Sequence, residues 1–291
     1  MTQPLVSVCI PCFNAEAYVV QTLEAVLAQS WPHVEIIVVN DGSTDHSWSL
    51  LQGFHARGVQ LIDQPRSGQC AAANRAFAHS RGQLIKFLDA DDLIPRDFIM
   101  RQVGRLAGRQ NAVASASWGR FYGNDLNSFR LNPQSVWRDM NALDWLVEAW
   151  SDAQPMMQCG LWLIPRPLLE RSGGWDERLS LINDFEFFAR VLSLAEDVLF
   201  TPGEPLYYRS GLAGSLSGEK TREAIESAFH SIVRGTAHLL ACRSDVAARR
   251  SCANVMQGFI YDVYPQHADL RERMTQRIEQ LGGSNLPPPG G

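Results

Sequence analysis

The chain has 291 residues, of which 45% are hydrophobic and 9% aromatic, enough to bury one large core or two modest ones and too many for a disordered or disulfide-stapled chain. Its 31 acidic residues outnumber 26 lysines and arginines, so the formal net charge is −5, and no basic arm or stripe runs along it. Duplex nucleic acid is therefore not an expected partner. An anionic ligand would have to be bound by a small local group of residues and not by a broad basic surface.

The first 107 residues alternate short apolar runs with helical patterns. The runs consist of β-branched and aliphatic residues, which is typical of strands covered on both faces. A helical pattern follows Asn14, which we expect to be its N-cap, and Pro32 stops it. Repeated β-α-β units predict an α/β fold with a mostly parallel sheet, in which ligands bind beyond the carboxyl ends of the strands. The predicted strands are residues 6–10, 34–39, 59–62 and 84–88.

After residue 107 the sequence pattern becomes less regular, and towards the C-terminus it is mainly helical. Residues 141–150 and 185–194 have helical patterns, and residues 161–164 and 206–208 are typical of strands. A Gly/Ser-rich stretch at 210–220 indicates a mobile loop. Three helical patterns follow, and a Pro/Gly-rich tail at 282–291 is predicted to be disordered.

The N-terminus and the cysteines predict a reduced, cytoplasmic protein. Residues 1–11 lack the features of a signal peptide, and no segment is long and apolar enough to cross a bilayer. Six cysteines do not make a disulfide framework at this length. Cys9 and Cys12 form a C-x-x-C pair, for which a redox role is one interpretation. Two small buried residues of a strand is the interpretation that we favour.

The strongest local signal is Asp89-Ala90-Asp91-Asp92, directly after the fourth apolar run. Three carboxylates so close together repel one another unless a cation shares the site. The spacing suits Mg²⁺ or Mn²⁺, held by one or two carboxylates while water or phosphate oxygens complete the coordination. The alternative is a solvated acidic turn that caps the next helix near Pro95.

Two further polar segments follow predicted strands. Asp41 opens the segment Asp41-Gly42-Ser43-Thr44-Asp45, where a strand-end carboxylate can bind a base or ribose and the residues after it can cap a helix. Pro11-Cys12-Phe13-Asn14 lies at the end of the first strand and is weak evidence alone. The three segments together provide the polar groups that a nucleotide site requires.

The pattern as a whole resembles glycosyltransferase family 2, whose members are inverting enzymes of the GT-A fold. The matching segments are VSVCIPCFNAEAYV, EIIVVNDGSTDHS, SGQCAAANRAFAHSRGQLIKFLDADD and GGWDERLSLINDFEFFARV, which together extend over about two thirds of the chain. The resemblance implies a Rossmann-like, mostly parallel central sheet flanked by helices, with a C-terminal helical extension. We expect a GT-A domain at 1–218, with a nucleotide-sugar half at 1–110 and an acceptor half at 111–218, then a helical region at 219–281.

The resemblance also assigns roles on the donor side. Asp41 is expected to contact the base, taken to be uracil, and Asp91 to ligate the metal, with Asp89 near the ribose and sugar and Asp92 as a neighbouring support. Relatives often carry an arginine immediately before Asn74, where it can contact the diphosphate or the base. Here the residue is Ala73, and Arg75 or Arg66 could compensate for the missing contact. The other residues expected to line the nucleotide pocket are Pro11, Asn14, Gly68 and Asn74.

On the acceptor side, Asp184 matches the family's catalytic base. Asn183 replaces the glutamate that usually precedes this aspartate. An N-cap of the helix near Phe185 is the alternative role for Asp184. Arg209 is expected to meet the donor diphosphate, while Gly211 stands where many relatives have a histidine.

These roles imply a glycosyltransferase that depends on Mn²⁺ or Mg²⁺ and moves a sugar from a nucleoside-diphosphate sugar, expected to be a UDP-sugar, to an acceptor hydroxyl in glycan or polysaccharide assembly. The acceptor would be a glycan, a lipid-linked molecule or another hydroxyl compound. A catalytically impaired nucleotide-sugar-binding or scaffold protein of the same fold is the alternative. The absence of a G-x-G-x-x-G motif after the first strand argues against a dinucleotide-dependent oxidoreductase. For the C-terminal helices, packing on the core, a homodimer and peripheral contact at the inner face of the membrane all stay open.

Overall fold

The computed structural model describes residues 3–212 and 216–289. The chain forms two compact units, each assembled from separate segments. The first comprises Met1–Pro133, Cys159–Glu177 and Leu199–Ser215, and the second Gln134–Gln158, Arg178–Val198 and Leu216–Gly291. The domain limits expected at residues 110 and 218 stay predictions.

Strands and helices alternate through the first half of the chain, and helices dominate the second. The strands in the described residues are β1 (Val6–Cys12), β2 (Val34–Asp41), β3 (Val59–Gln64), β4 (Leu84–Phe87), β5 (Ala112–Tyr122), β6 (Asp125–Leu131), β7 (Met140–Asn141), β8 (Ile164–Pro165) and β9 (Asp197–Ser210). The helices are α1 (Val19–Leu27), α2 (Ser47–Gln52), α3 (Gln69–Ala78), α4 (Phe98–Leu106), α5 (Ala142–Ala149), α6 (Arg166–Ser172), α7 (Asn183–Ser193), α8 (Arg222–Cys242), α9 (Val246–Val263) and α10 (Ala268–Gln280).

The main sheet of the first unit has the strand order β3-β2-β1-β4-β8. Strand β1 runs parallel to both β2 and β4, β3 is parallel to β2, and only β8 is antiparallel. Most residues of β1, β2 and β4 are buried. Continuous aliphatic strands are stable in such a sheet because both of its faces are covered. The predicted α/β fold with a mostly parallel sheet is confirmed.

A second sheet in the first unit places β5 between β6 and β9. An antiparallel bridge joins Tyr207 of β9 to Leu93 just after the acidic segment, with backbone hydrogen bonds of 3.0 and 3.1 Å. The predicted strand at 206–208 is therefore part of a longer strand. The predicted strand at 161–164 is wrong at its start, because residues 159–161 form a 3₁₀ turn. Leu163 forms an antiparallel bridge with Ala114, and β8 begins at Ile164.

Helices form the core of the second unit, where β7 pairs with the first two residues of β9. Trp150 stacks on Phe185 of α7 with the ring centroids 4.7 Å apart. Helix α8 approaches this pair at Gly235, where a Cβ atom would lie 2.5 Å from the Phe185 ring. Thr221 and Asp245 cap α8 and α9 through their side-chain oxygens. The three helical patterns predicted near the C-terminus correspond to α8, α9 and α10.

The C-terminal segment makes specific contacts as far as the structure describes it. Asn254 of α9 accepts hydrogen bonds from the Ser284 hydroxyl at 2.8 Å and the Asn285 amide at 2.9 Å. The Tyr261 hydroxyl donates to the Pro287 carbonyl at 2.7 Å. Residues 282–289 are thus tied to α9 where the sequence predicts disorder. Residues 290 and 291 of that prediction, and residues 213–215 of the predicted mobile loop, lie outside the described residues.

None of the helices in the described part of the chain combines the length and apolar composition that a bilayer crossing demands.

A fully buried lysine fixes the position of β4. Lys86 is 0% exposed, and its Nζ donates to Gln102 Oε1 at 3.0 Å and to the carbonyl oxygens of Gly160 and Trp162 at 2.6 and 3.4 Å. These acceptors hold the 159–162 segment beside β4. Burial nevertheless lowers the pKa of Lys86 from 10.5 to about 7, because the hydrogen bonds offset only part of the cost of desolvating the ammonium group.

The free energy of unfolding should therefore rise with pH above neutrality. Between about pH 7 and 10.5 the unfolded chain keeps a proton on Lys86 that the folded chain has lost, so stability increases by up to about 1.4 kcal/mol per pH unit. Urea denaturation at pH 7 and pH 9 measures this rise. The Lys86→Met variant, which cannot titrate, should lack it. Identical pH profiles for the two proteins would contradict the assignment.

Candidate functional site

The carboxyl ends of the parallel strands share one edge of the main sheet. Residues 11 and 12 at the end of β1 align with residues 39 and 40 of β2, and residues 40 and 41 align with residues 63 and 64 of β3. Cys9 is paired with Phe87, so β4 ends two residues before Asp89. The structure thus brings the three polar segments predicted from the sequence to the same edge.

Asn14 braces the loop after β2. It adopts a left-handed backbone conformation (φ 47°), its Oδ1 accepts from the Thr44 amide at 2.8 Å, and its own amide donates to Ser43 Oγ at 3.1 Å. The prediction that Asn14 caps the first helix is wrong, because α1 begins at Val19 after Tyr18. The Asn14 side chain instead accepts a hydrogen bond from a backbone amide of the loop after β2. Pro11 lies within β1.

Asp41 is saturated with hydrogen bonds from the loop after β3. It is 1% exposed, and its Oδ1 accepts from Gln64 Nε2 at 2.7 Å and the Ser67 amide at 2.8 Å. Its Oδ2 accepts from Arg66 Nη1 at 2.5 Å and the Gly68 amide at 2.9 Å. Gly68 has φ 98°, which favours glycine. The predicted contact of Asp41 with a base stays a prediction; in this structure its carboxylate shapes the 64–68 loop.

Arg66 and Phe13 form an exposed stack above Asp41 that the sequence did not single out as a pair. The Arg66 Cζ atom lies 3.5 Å from the centroid of the Phe13 ring, and both side chains are exposed. The backbone at Arg66 approaches Gly42 so closely that a Cβ there would lie 2.7 Å from the Arg66 nitrogen. The sequence did contain a signal for this arrangement. A glycine directly after a strand-end aspartate, as in Asp41-Gly42, indicates that another backbone segment packs closely against it.

Asp89, Asp91 and Asp92 turn tightly after β4. One carboxylate oxygen from each lies within 4.8 Å of the others. Burial and the charge of Asp89 raise the pKa of Asp91 to about 7. Burial and both neighbouring carboxylates raise the pKa of Asp92 well above its usual range. This all-oxygen set fits a hard divalent cation, which would offset the repulsion. Helix α4 begins only at Phe98, after Asp97, so the acidic turn does not cap it.

Side chains from other elements hold this acidic turn. Thr22 of α1 donates its hydroxyl to the carbonyl oxygens of Ala90 and Asp92, both at 3.0 Å. Gln69, the first residue of α3, donates to Asp89 Oδ1 at 2.8 Å. Neither Thr22 nor Gln69 was predicted from the sequence to belong to the site. A signal for Thr22 existed, since it is a polar residue on the buried face of the α1 pattern.

Asn74 fixes the Gly-Gly-Trp-Asp loop. Its Oδ1 accepts from the Trp175 amide at 2.7 Å, and its Nδ2 donates to the Trp175 carbonyl and to Glu177 Oε1, both at 2.9 Å. A Cβ at Gly174 would lie 2.6 Å from Asn74 Oδ1, so any other residue there would displace the Asn74 side chain. Trp175 itself packs edge-on against Phe87, with the centroids 5.3 Å apart. The expected role of Asn74 at a nucleotide stays a prediction.

Asp184 and Asn183 open helix α7 of the second unit. Ile182 precedes the helix in a left-handed conformation, so Asp184 lies in the first turn and is not the N-cap. Its Oδ1 accepts from the Phe185 amide at 2.9 Å, and it is half-buried. Asn183 is buried and donates to the Ser180 carbonyl at 3.0 Å. The catalytic role of Asp184 stays a prediction.

Both cysteines of the C-x-x-C pair lie in β1, Cys12 as its last residue. Cys9 and Cys12 are both buried. Burial raises the pKa of both thiols, that of Cys12 to about 12, whereas a reactive cysteine has a lowered pKa. The pair fits the interpretation of two small buried strand residues.

Comparison with protein families gives a match over more than half of the chain. The sequence profile described as "Glycosyl transferase family 2" matches residues 7–172. Glycosyltransferase GlyA of Streptococcus pneumoniae serotype 4 is 30% identical over 118 residues, which cover 40% of this chain and 17% of that protein. Chondroitin synthase of Escherichia coli is 37% identical over 98 residues, covering 33% of this chain and 14% of that protein. The chain spans little more than half, or less, of the length of the curated relatives it matches.

Solved structures give the same fold. The crystal structure of S. aureus TarS 1-349 in complex with UDP-GlcNAc superposes with a TM-score of 0.76, covering 95% of this chain and 80% of that one. Its complex with UDP superposes with a TM-score of 0.72. The sequence identity is 15%, so the likeness concerns the fold alone.

Replacing Asp41 by asparagine should destabilise the protein. All four acceptor positions of this carboxylate face donors, so an amide group there confronts N–H groups that it cannot satisfy. A buried unsatisfied donor costs about 1–3 kcal/mol, which chemical denaturation measures. Asp97→Asn is the matched control: Asp97 is exposed and makes no capping hydrogen bond, so this substitution should change stability by less than about 0.5 kcal/mol. Equal effects of the two substitutions would refute the role of Asp41.

Proposed function

The chain belongs to glycosyl transferase family 2, and from this premise we propose that it is a metal-dependent inverting glycosyltransferase. It would transfer a sugar from a nucleoside-diphosphate sugar to an acceptor hydroxyl in glycan or polysaccharide assembly. The observation that carries the proposal is the convergence of three carboxylates at the carboxyl edge of the parallel sheet, within 4.8 Å of one another. Ligands bind at this edge in sheets of this type.

Asp91 would be the principal metal ligand, with Asp89 and Asp92 beside it. The fit rests on an all-oxygen donor set and on two carboxylates whose pKa values stay raised by burial and mutual repulsion although Arg209 offsets part of the effect. A bound Mg²⁺ or Mn²⁺ supplies Lewis-acid stabilisation of the charge that develops on a departing diphosphate. The protein's own contribution is the rigid acidic turn, which Thr22 and Gln69 hold in place.

A UDP-sugar is the proposed donor, supported by the common fold with TarS, whose crystal structures hold UDP and UDP-GlcNAc. The base would lie near Pro11, Asn14 and Asp41, where the loops after β1, β2 and β3 meet. The stack of Arg66 on Phe13 offers a planar cationic surface at that point. We propose that Arg66 makes the base contact expected of the arginine that relatives carry in place of Ala73.

Asp184 is the proposed catalytic base. Its carboxylate would take the proton of the acceptor hydroxyl as the hydroxyl oxygen bonds to the anomeric carbon. The bond from that carbon to the diphosphate oxygen breaks on the opposite face, the diphosphate keeps the electron pair, and the configuration inverts. A place in the first turn of α7 favours the ionised carboxylate that a base requires, because the N-terminus of a helix stabilises negative charge.

A second candidate function is a nucleotide-sugar-binding protein without turnover. Its support is the set of departures at Ala73, Asn183 and Gly211. At Asn183 the structure shows a buried amide engaged with Ser180, so the residue there has a structural contact of its own. Donor binding without sugar transfer to any member of an acceptor panel would favour this function. We also propose a cytoplasmic location for the protein.

Removal of the Asp91 carboxylate should abolish metal-dependent donor binding. Calorimetry of UDP-GlcNAc with the wild-type protein should show binding with Mn²⁺ and at least about tenfold weaker binding without it, while Asp91→Ala should show no gain from Mn²⁺. Asp97→Ala is the matched control, because this exposed aspartate lies just beyond the acidic turn and has no capping bond. Equal affinity of the wild-type protein for UDP-GlcNAc with and without Mn²⁺ would contradict the proposed metal dependence.

Replacing Asp184 by asparagine should leave donor affinity unchanged and slow sugar transfer. A positioned general base contributes about 10²- to 10⁴-fold, so kcat measured as UDP release with an acceptor panel should fall by that factor. Glu223→Gln is the control, since Glu223 is an exposed acid in the first turn of another helix. Wild-type kcat in the Asp184→Asn protein would eliminate Asp184 as the base.

A further inference from the structure

Arg209, predicted to meet the donor diphosphate, is surrounded by protein groups. The residue is only 2% exposed. Its Nε donates to the Asp91 carbonyl at 2.6 Å and its Nη2 to Gln21 Oε1 at 2.7 Å. Its Nη1 donates to the Gly123 carbonyl and to Asn124 Oδ1. Four of the five guanidinium N–H groups are thus directed at protein oxygens, which leaves little capacity for a ligand.

Aromatic rings and the main chain complete this environment. The Arg209 Cζ atom lies 4.7 Å from the centroid of the Tyr18 ring and 4.5 Å from that of Phe121. The Arg209 amide donates to Asp92 Oδ1 at 2.9 Å. A single residue of β9 therefore connects α1, the turn between β5 and β6, and the acidic turn. The sequence separations are 85 to 188 residues.

We propose that Arg209 is a positioning residue that holds the acidic turn in its cation-binding shape and does not contact the diphosphate. Three carboxylates within 4.8 Å repel one another, so without a fixed counter-charge the turn would spread. Arg209 supplies that charge and at the same time anchors the Asp91 carbonyl and the Asp92 carboxylate. The inference rests on the proposed function, because it concerns the cation that Asp91 would bind.

Measuring the affinity for Mn²⁺ and the affinity for UDP distinguishes a positioning role of Arg209 from a direct contact with the diphosphate. Electron paramagnetic resonance of free Mn²⁺ gives the Mn²⁺ dissociation constant without turnover, and calorimetry at saturating Mn²⁺ gives UDP affinity. Arg209→Lys should raise the Mn²⁺ dissociation constant about tenfold or more, as loss of a group that orients a metal ligand does. UDP affinity at saturating Mn²⁺ should stay within about twofold of wild type. The matched control is Arg57→Lys, an exposed arginine of the same unit paired with Glu24.

A second variant keeps the test valid if Arg209→Lys does not fold. Gln21→Ala combined with Asn124→Ala removes two guanidinium acceptors by altering exposed side chains. It should raise the Mn²⁺ dissociation constant in the same direction, by a smaller factor, with an unfolding midpoint close to that of wild type.

An unchanged Mn²⁺ dissociation constant in both variants, or a loss of UDP affinity at saturating Mn²⁺, would overturn the positioning role. A wild-type protein that binds no Mn²⁺ would instead overturn the proposed metal dependence, and the positioning role with it. The wild-type measurement therefore distinguishes the failure of the proposed function from the failure of this inference alone.

Discussion

Repulsion among Asp89, Asp91 and Asp92 is the constraint on which the rest of the site depends. Their carboxylate oxygens lie within 4.8 Å of one another in a partly buried turn, an arrangement that is unfavourable without compensation. The protein compensates with contacts to the backbone of the turn and to its carboxylates. Thr22 engages two carbonyl oxygens, Gln69 engages Asp89, and Arg209 engages Asp91 and Asp92. The turn keeps its shape because α1, α3 and β9 each contribute to it.

Similar hydrogen bonds recur around the whole edge of the sheet. Asn14 accepts from the Thr44 amide, Asp41 from those of Ser67 and Gly68, and Asn74 from that of Trp175. In each case a side-chain oxygen satisfies a backbone donor of a different loop, which a loop at a sheet edge would otherwise leave to water. The loops that would surround a nucleotide-sugar are therefore ordered by the protein itself, which lowers the entropic cost of binding.

The fold was largely predictable from the sequence, because strands buried on both faces require continuous aliphatic runs and amphipathic helices require a 3.6-residue period. The position of the acidic turn was predictable for the same reason, since it directly follows such a run. The roles of individual polar residues were less so. An asparagine such as Asn14 is suited equally to capping a helix, binding a ligand or bracing a loop, and the choice depends on partners that lie far away in the sequence. Asp41 and Arg209 illustrate the same difficulty.

The excess of acidic residues in the chain is compatible with an anionic ligand. Arg209, which donates to the acidic turn, has its hydrogen bonds with protein groups, and Arg66 is paired with Asp41. An anionic diphosphate would therefore be met mainly through the cation that the acidic turn is proposed to hold, so a net charge of −5 is compatible with such a ligand. What the fold contributes is a site whose geometry is set before the ligand arrives.

Hydrogen–deuterium exchange tests this preorganisation most directly. The amides of Thr44, Ser67, Gly68, Trp175 and Arg209 each donate to a side-chain oxygen in the ligand-free protein. We predict that these amides are already protected without ligand and that UDP with Mn²⁺ changes their exchange rates little. Fast exchange in the free protein, slowed only when UDP and Mn²⁺ are added, would contradict the account.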